Sequence, residues 1–441
     1  MNYTETIDYL YKQLPSFEKD GKSAYKPGLE RVAEFCRKIG NPQRNYFIIH
    51  IAGTNGKGSV ANMIASVMQQ AGYRTGLYTS PHLVDFRERI RVDGEVISKQ
   101  KIVNFVNKHR LEMEGCELSF FEMATVLAFD YFSQSDVEVA VIETGLGGRL
   151  DATNVVIPAL TILTNVGLEH TDLLGDSLPK IAREKCGIIK KSIPIVVGEH
   201  NTNYNLVVEE VAADANSPVI YAEQAFSCLG RTVVDTPSGS VQVFDLLRER
   251  DHQQYTLQVG LLGEYQRQNV ITVCAAIDYL HQNTPLSISR RALVVGLRDV
   301  TEITGFEGRW QQLSQQPKIL CDTAHNSHAM ELVARQIAAV ECEGRRVMML
   351  GFCSDKDIRE MLAMLPRDAH YIFTQAESHR AASVEFLQSI AAELGLQCEA
   401  YVDIAAAFER SKELVADNGF LYIGGSTYIV GAVKQLLQEA V

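Results

Sequence analysis

The sequence predicts an α/β protein with two parallel-sheet domains, of which the first carries a small antiparallel annex and the second is smaller and Rossmann-like. Three observations support this: a glycine-rich loop directly after an apolar run, a repeated alternation of strand-like and helix-like segments, and a second round of that alternation after residue 304. A chain of 441 residues exceeds one ordinary core. We therefore expect domains at residues 1–304 and 305–441.

The first apolar run and the loop after it form a phosphate-binding pattern. Residues 47–51 are almost continuously apolar, as in a strand buried on both faces. Three glycines between Gly53 and Ser59 let the backbone turn tightly and direct several N–H groups at one anion. A helix predicted over 59–70 begins there, with Lys57 placed for phosphates and the Ser59 hydroxyl for Mg²⁺. We therefore expect a P-loop parallel-sheet ATPase domain; a glycine-rich turn without nucleotide is the alternative.

The other predicted elements follow in order. The first 45 residues are helical, interrupted at Pro15 and by a loop at residues 21–28. Two alternating runs around a Pro-Ser-Gly turn predict the antiparallel annex between 227 and 262. Further strands of the first domain are predicted at 75–80, 139–145, 159–166 and 194–199, with helices at 99–113, 120–132, 266–282 and 289–297. Second-domain strands are predicted in the segments that begin at 318, 346, 371, 399 and 420.

Polar side chains that could do chemistry follow several predicted strands. Glu143 ends a strand, where P-loop enzymes hold Mg²⁺; a helix-capping or ion-paired acid is the alternative. His170 could ligate a metal, but Lys185 cannot do so as an ammonium. The alternatives are a structural histidine and a surface ion pair between Lys185 and Glu184.

The segment DTAHN, residues 322–326, follows a strand of the second domain and precedes a helix. Asp322 could accept hydrogen bonds from ribose hydroxyls, and His325 could reach a phosphate or a base. Helix capping by Asp322 or Asn326 is the alternative.

Composition excludes several classes of function. A net charge of −12 argues against nucleic acid as the main partner. No apolar run approaches the about 20 residues of a membrane-spanning helix, and the N-terminus does not resemble a signal peptide. Nine cysteines occur without a C-x-x-C pair, which indicates neither a disulfide framework nor a thiolate zinc site. We expect a cytoplasmic protein.

Several segments together resemble the folylpolyglutamate synthase and dihydrofolate synthase family of the Mur ligase superfamily. They occur in the family's order between residues 50 and 326: HIAGTNGKGSV, TSPHL, ERIRVDG, SFFEMAT, ETGLGGRLDATN, EHTDLLGDSLPKIAREKCGI, GEYQRQN, GRW and DTAHN. The glycine at position 58, which separates Lys57 from Ser59, resembles the loop pattern of the folate branch. The resemblance implies an ATP-dependent ligase that adds L-glutamate to dihydropteroate, to the γ-carboxylate of folates, or to both, through an acyl phosphate.

The resemblance also implies roles for individual residues. The implied catalytic residues are Lys57, Glu143, His170 and Lys185. The implied metal ligands are Ser59 and Glu143 at a first site and Glu143, His170 and Lys185 at a second site, with Lys185 as carbamyl-lysine. The implied ATP contacts are Gly53, Thr54, Asn55, Gly56, Lys57, Gly58, Ser59, Asn269, Arg309, Asp322 and His325. The implied folate contacts are Ser80, Phe121, Arg149 and Asp151.

The implied cofactors are ATP and Mg²⁺ at two sites, with a monovalent cation as a further candidate, and the implied partners are small-molecule substrates of a monomeric enzyme. Two features depart from the family pattern: Cys186 follows the lysine, and ESHR at 377–380 replaces a Pro-Arg pair. The alternatives are a superfamily ligase with another carboxylate acceptor and a P-loop nucleotide switch. A GTP switch would need an N-K-x-D guanine reader, which the sequence lacks.

Overall fold

A computed structural model describes residues 1–15, 27–236 and 239–439 and divides the chain into two compact units. Unit 1 contains Met1–His82, Phe86–Leu261 and Gln266–Phe306. Unit 2 contains Leu83–Asp85, Leu262–Tyr265 and Glu307–Val441. The division after Phe306 lies close to the predicted boundary after residue 304, and two short segments of the predicted first domain, Leu83–Asp85 and Leu262–Tyr265, belong to unit 2.

The main sheet of unit 1 has eight strands: β1 Phe47–Ala52, β2 Thr75–Tyr78, β3 Ile90–Val92, β4 Glu95–Val96, β5 Val139–Glu143, β6 Leu160–Leu163, β7 Ile195–Val197 and β8 Val219–Tyr221. Their order in the sheet is β4-β3-β2-β5-β1-β6-β7-β8. Strands β2, β5, β1, β6, β7 and β8 are parallel, and β3 and β4 extend the β2 edge in antiparallel pairing. The central strand β1 lies between β5 and β6, which brings three strand ends to one place.

Helices cover both faces of this sheet. Alternate residues of β1 point to opposite faces, so its apolar side chains need a core on each side. Ile49 and Ile51 belong to the core that includes the helix after the P-loop, whereas Ile48 belongs to the core of the N-terminal helices. The helices of unit 1 are Tyr3–Gln13, Glu30–Lys38, Lys57–Gln70, Lys99–Gly115, Phe120–Gln134, Thr171–Leu174, Leu178–Lys185, Asn205–Asp214, Ala222–Ala225, Gln266–Asn283, Arg290–Arg298 and Val300–Thr304. Short 3₁₀ turns occur at Pro42–Arg44, Phe86–Arg89, Ala152–Val155 and Cys186–Ile188.

The predicted antiparallel annex is confirmed as a sheet of three strands, β9 Phe226–Thr236, β10 Gly239–Arg248 and β11 Gln253–Val259. Their order in the sheet is β11-β10-β9. Tyr255, Leu257 and Val259 are buried at every second position, which seals one face against the core of unit 1. Pro237 and Ser238, at the predicted turn, lie outside the described residues, as do residues 21–26 of the predicted N-terminal loop.

The smaller α/β arrangement predicted for the second domain is confirmed by the six-stranded sheet of unit 2. The strands are β12 Gln311–Ser314, β13 Lys318–Cys321, β14 Arg346–Leu350, β15 His370–Thr374, β16 Cys398–Tyr401 and β17 Phe420–Gly424. Their order in the sheet is β12-β13-β17-β14-β15-β16, and all neighbouring pairs are parallel except β12–β13. The helices are Ser327–Ala339, Ile358–Ala363, Val384–Leu394, Ile404–Val415 and Thr427–Glu439. Within the described ranges of both units, each helix is too short or too polar to cross a membrane.

Candidate active site

The P-loop of unit 1 connects the end of β1 to a helix that begins at Lys57, two residues earlier than predicted. Two of its glycines are required by close approaches. A Cβ on Gly53 would lie 1.8 Å from Thr164 Oγ1, and a Cβ on Gly56, whose φ is +82°, would lie 2.3 Å from Asn269 Oδ1. Because a side chain at either position would collide with its neighbour, the loop can hold this path only with glycine.

The loop after β6 holds the P-loop in place. Thr164 Oγ1 donates to the Asn55 carbonyl at 2.6 Å, and Asn165 Oδ1 accepts from the Asn55 amide at 2.9 Å. Thr54 Oγ1 accepts from the Gly167 amide at 2.9 Å. Sequence reasoning missed Thr164 and Asn165, although two polar residues directly after a buried strand were a signal.

Two lysines contact the same carbonyl of the P-loop. Lys57 Nζ donates to Gly53 O at 3.1 Å and to Thr54 O at 3.2 Å, and Lys185 Nζ donates to Gly53 O at 2.8 Å. Lys185 is only 4% exposed. Its burial, together with the nearby Lys57 charge, lowers its pKa to about 7. A predicted catalytic lysine therefore lies against the P-loop.

The surface ion pair considered for Lys185 and Glu184 is wrong. Glu184 instead accepts from Arg149, with Nη2 to Oε1 at 2.9 Å. Arg149 also donates its backbone amide to the Glu184 carbonyl at 2.7 Å. The side chain of Arg149 is 54% exposed, so this pair lies at the surface while Lys185 turns inward.

Glu143 and Ser59 are the oxygen donors next to the P-loop helix. Glu143 ends β5, where it pairs in register with Ile51 of β1, and it is 4% exposed. Its Oε2 accepts from the Ser80 amide at 3.2 Å and lies 3.7 Å from where a Cβ on Gly58 would be. Ser59, one residue further, is 1% exposed. A carboxylate and a hydroxyl beside one helix start fit the preference of Mg²⁺ for oxygen ligands.

The predicted second metal site has less support from the described residues. His170 has a left-handed φ of 51° and precedes the helix Thr171–Leu174, with its Nε2 3.9 Å from Glu169 Oε1. Across residues 1–15, 27–236 and 239–439, no group of three or more His, Cys, Asp or Glu side chains is arranged to hold a metal. The predicted set contains only Glu143 and His170 of these residue types. It stays a prediction that depends on modification of Lys185.

The four predicted folate contacts lie on or around the loop that follows Glu143. The buried Asp151 carboxylate accepts from the amides of Gly145 at 2.9 Å and Leu146 at 2.8 Å. A Cβ on Gly145 would lie 2.5 Å from the Phe121 ring, and Ser80 contacts Glu143 itself. Burial raises the pKa of Asp151. Arg149 lies on this loop, and its guanidinium is engaged with Glu184.

In unit 2, one carboxylate connects three loops. Asp322 is 2% exposed and accepts from the Trp310 amide at 2.7 Å, the Ala324 amide at 2.8 Å and the Tyr265 hydroxyl at 2.5 Å. Burial raises its pKa. Asp322 thereby fixes the segments that carry the predicted nucleotide contacts Arg309 and His325.

Those two residues also meet at Thr323. Arg309 Nη1 contacts Thr323 Oγ1, and His325 Nδ1 lies 2.8 Å from the Thr323 carbonyl. Of the two capping alternatives, Asn326 caps the following helix by accepting from the Ala329 amide at 2.9 Å, and Asp322 does not. The remaining predicted nucleotide contact, Asn269, belongs to unit 1, where it donates to Gln266.

Comparison with known proteins identifies the family. The Mur ligase middle domain matches residues 51–277, and the Mur ligase glutamate ligase domain matches residues 308–427. The dihydrofolate synthase/folylpolyglutamate synthase of Bacillus subtilis is 31% identical over 95% of this chain and 96% of its own length. A probable bifunctional folylpolyglutamate synthase/dihydropteroate synthase of Haloferax volcanii is 32% identical over 100% of this chain. This chain spans about half of that relative's length, 51%.

Solved structures agree along the whole chain. Escherichia coli FolC in complex with DHPP and ADP has a TM-score of 0.84 at 27% identity, covering 100% of this chain and 98% of that one. The bifunctional folylpolyglutamate synthase/dihydrofolate synthase of Yersinia pestis, complexed with AMPPNP and Mn ion, has a TM-score of 0.81 at 28% identity, covering 99% and 98%. The chain therefore belongs to the Mur ligase family, in its folylpolyglutamate synthase/dihydrofolate synthase branch.

Proposed function

We propose that this protein is an ATP-dependent ligase that joins L-glutamate to the carboxylate of dihydropteroate, of folates, or of both. The observation that carries the proposal is the convergence of Lys57, Lys185, Glu143 and Ser59 on the P-loop at the carboxyl end of β1. Backbone amides, a cation and oxygen ligands at a helix N-terminus are suited to a nucleotide triphosphate and its metal. Full-length similarity to named glutamate ligases supports the same conclusion.

The reaction follows from what ATP can supply. An oxygen of the acceptor carboxylate forms a bond to the γ-phosphorus while the bond to ADP breaks, which gives an acyl phosphate. The glutamate amine then attacks the acyl carbon, and the bond from that carbon to the bridging oxygen breaks. Phosphate leaves with this oxygen, and the nitrogen loses a proton as the amide forms. Lys57 would turn from the carbonyls of Gly53 and Thr54 toward the phosphates. Ser59 and Glu143 would hold Mg²⁺, which when bound neutralises phosphate charge.

Lys185 would serve as an oxygen ligand only after modification. Its neutral amine can add carbon dioxide to form a carbamate, with release of one proton, and the product carries one negative charge shared by two oxygens in place of a cation. Its position at the Gly53 carbonyl supports a role beside the phosphates. Labelling with ¹³C-bicarbonate should give a carbamate signal that disappears in Lys185→Ala, and activity of that variant should partly return with short carboxylic acids. An unlabelled wild-type lysine would count against the modification.

The assay that tests the function uses the purified chain with ATP, Mg²⁺ and L-glutamate. Dihydropteroate and tetrahydrofolate are supplied separately, with ADP formation and product mass followed. We expect glutamate-dependent ADP formation with at least one acceptor and with both if the enzyme is bifunctional. No glutamate-dependent turnover with either acceptor would contradict the proposal. The monomeric state, which remains a prediction, is measured on the same preparation by light scattering.

A further inference from the structure

Gln266 is a buried amide that contacts the P-loop helix and has no role in the site described above. It is the first residue of the helix Gln266–Asn283 and is 0% exposed. Its Nε2 donates to Ser59 Oγ at 3.2 Å, and its Oε1 accepts from Asn269 Nδ2 at 2.8 Å. Because a buried amide is costly unless its polar atoms are hydrogen-bonded, these two contacts fix the side chain between Ser59 and Asn269.

The direction of the Asn269 amide follows from its other neighbour. Asn269 Oδ1 faces Gly56, where an added Cβ would lie only 2.3 Å away. An amide oxygen can lie against a glycine Cα–H as a weak acceptor, whereas an NH₂ group there would place hydrogens against hydrogens. Asn269 therefore turns its NH₂ toward Gln266, and Gln266 must turn its own NH₂ toward Ser59.

This orientation determines what the Ser59 hydroxyl can do. A hydroxyl has one hydrogen to donate and two lone pairs. The Gln266 N–H group occupies one lone pair, so the oxygen retains the other for a cation. We propose that Gln266 is a positioning residue that orients the Ser59 hydroxyl toward the Mg²⁺ of the bound nucleotide. The inference rests on the proposed function, since it takes Ser59 as a ligand of that metal.

The test measures metal binding apart from nucleotide binding. Mn²⁺ is titrated into the protein saturated with AMPPNP, and free Mn²⁺ is followed by electron paramagnetic resonance. Gln266→Met removes the donor at nearly constant volume and should weaken Mn²⁺ binding by about 10-fold, roughly the contribution of one hydrogen bond. Gln266→Asn, a polar variant in case methionine misfolds, should show the same loss because its side chain is too short. Binding of a fluorescent ATP analogue in EDTA should change less than Mn²⁺ binding does, by about 2–3-fold, because Asn269, an implied ATP contact, loses its acceptor.

A double-mutant cycle separates positioning from general packing. Ser59→Ala alone should weaken Mn²⁺ binding, and Gln266→Met added to it should cause no further loss, because Gln266 acts through Ser59. Gln242 provides a matched control: it is also 0% exposed, and its Nε2 donates to the Leu261 carbonyl at 2.8 Å in unit 1. Gln242→Met should leave Mn²⁺ binding unchanged.

Three results would overturn the inference: unchanged Mn²⁺ binding in both Gln266 variants, an equal loss of metal-free nucleotide binding, or additive losses in the double variant. None of these measurements needs glutamate or a folate acceptor. A wild-type protein that binds metal and nucleotide normally but lacks ligase turnover would contradict the proposed function alone.

Discussion

The P-loop of unit 1 and the Asp322 loop of unit 2 both follow strand ends, but they are held in opposite ways. In the P-loop, side chains of a neighbouring loop hold the backbone, and Lys57 donates to two loop carbonyls. In unit 2, the buried carboxylate of Asp322 accepts hydrogen bonds from two backbone amides and a hydroxyl. We therefore propose that the Lys57 ammonium can leave these carbonyls for a phosphate, whereas the first role of Asp322 is to stabilise the loops around it.

The largest effect is expected for Lys57→Ala. Because its ammonium would compensate phosphate charge that grows in the transition state, turnover should fall by more than about 100-fold. Thermal stability should hardly change, since the side chain leaves only two loop carbonyls. Glutamate-dependent ADP formation measures turnover, and a melting curve measures thermal stability. Lys180→Ala, which removes a surface lysine paired with Asp176 at 2.9 Å, is the control, and turnover of Lys57→Ala close to that of this control would remove Lys57 from the mechanism.

Asp322→Asn should act on stability before it acts on chemistry. An amide in this position places its NH₂ group against one of the donors whose hydrogen bond Asp322 now accepts. The lost hydrogen bond and the buried, unpaired donor should lower the free energy of unfolding by roughly 2–4 kcal/mol. We expect faster hydrogen exchange at the Trp310 and Ala324 amides. Asp368→Asn, at an exposed acid of the same unit, should leave their exchange unchanged. Normal exchange combined with loss of nucleotide binding in Asp322→Asn would show that Asp322 serves the ligand instead.

Asn165→Ala should produce a smaller effect in unit 1. The Asn55 amide would lose its acceptor, which should weaken metal-free nucleotide binding by about 5–10-fold through loosening of the loop. Thr164→Ser retains the hydroxyl that donates to Asn55 and should bind within about 2-fold of the wild type. A fluorescent ATP analogue measures both variants. Equal affinities for Asn165→Ala and the wild type would indicate that the P-loop holds its path without this neighbour.

The smallest effect concerns Glu399, a partly exposed acid at the edge of unit 2 that contrasts with the buried Asp322. Arg410, at 2.9 Å, is the main reason that the pKa of Glu399 falls from its usual 4.5 to about 2. The stabilisation is therefore complete above pH 4.5 and is lost as the pH falls toward 2. Glu399→Gln should cost roughly 1–2 kcal/mol at pH 7 after allowance for solvent screening.

Denaturant unfolding of the wild type and Glu399→Gln across this pH range checks the prediction. The two curves should converge at low pH. A difference that stays constant between pH 7 and pH 3 would show that the effect of Glu399 does not come from its charge.

The sequence predicts the fold well because its signals are local. Apolar runs followed by Gly, Asn or Asp mark strand ends within a few residues, and these are the places where the P-loop, Glu143 and Asp322 occur. The contacts it could not predict join residues far apart in the chain: Lys185 to Gly53 across 132 residues, and Gln266 to Ser59 across 207. Lys185 looked like a surface residue because only the sheet topology brings its helix to the end of β1.

Asp322 illustrates a second limit. The motif DTAHN predicts its position at a strand end, but whether the carboxylate faces a ligand or its own backbone depends on Trp310 and Tyr265. No local pattern contains that information.

The proposed reaction depends on activation of the acceptor carboxylate by ATP as an acyl phosphate. Transfer of ¹⁸O tests this directly, with dihydropteroate or tetrahydrofolate labelled in both oxygens of the reacting carboxylate. We predict that each phosphate released during glutamate addition carries one ¹⁸O and that the new amide retains the other. Unlabelled phosphate, or AMP and pyrophosphate in place of ADP, would contradict an acyl phosphate intermediate.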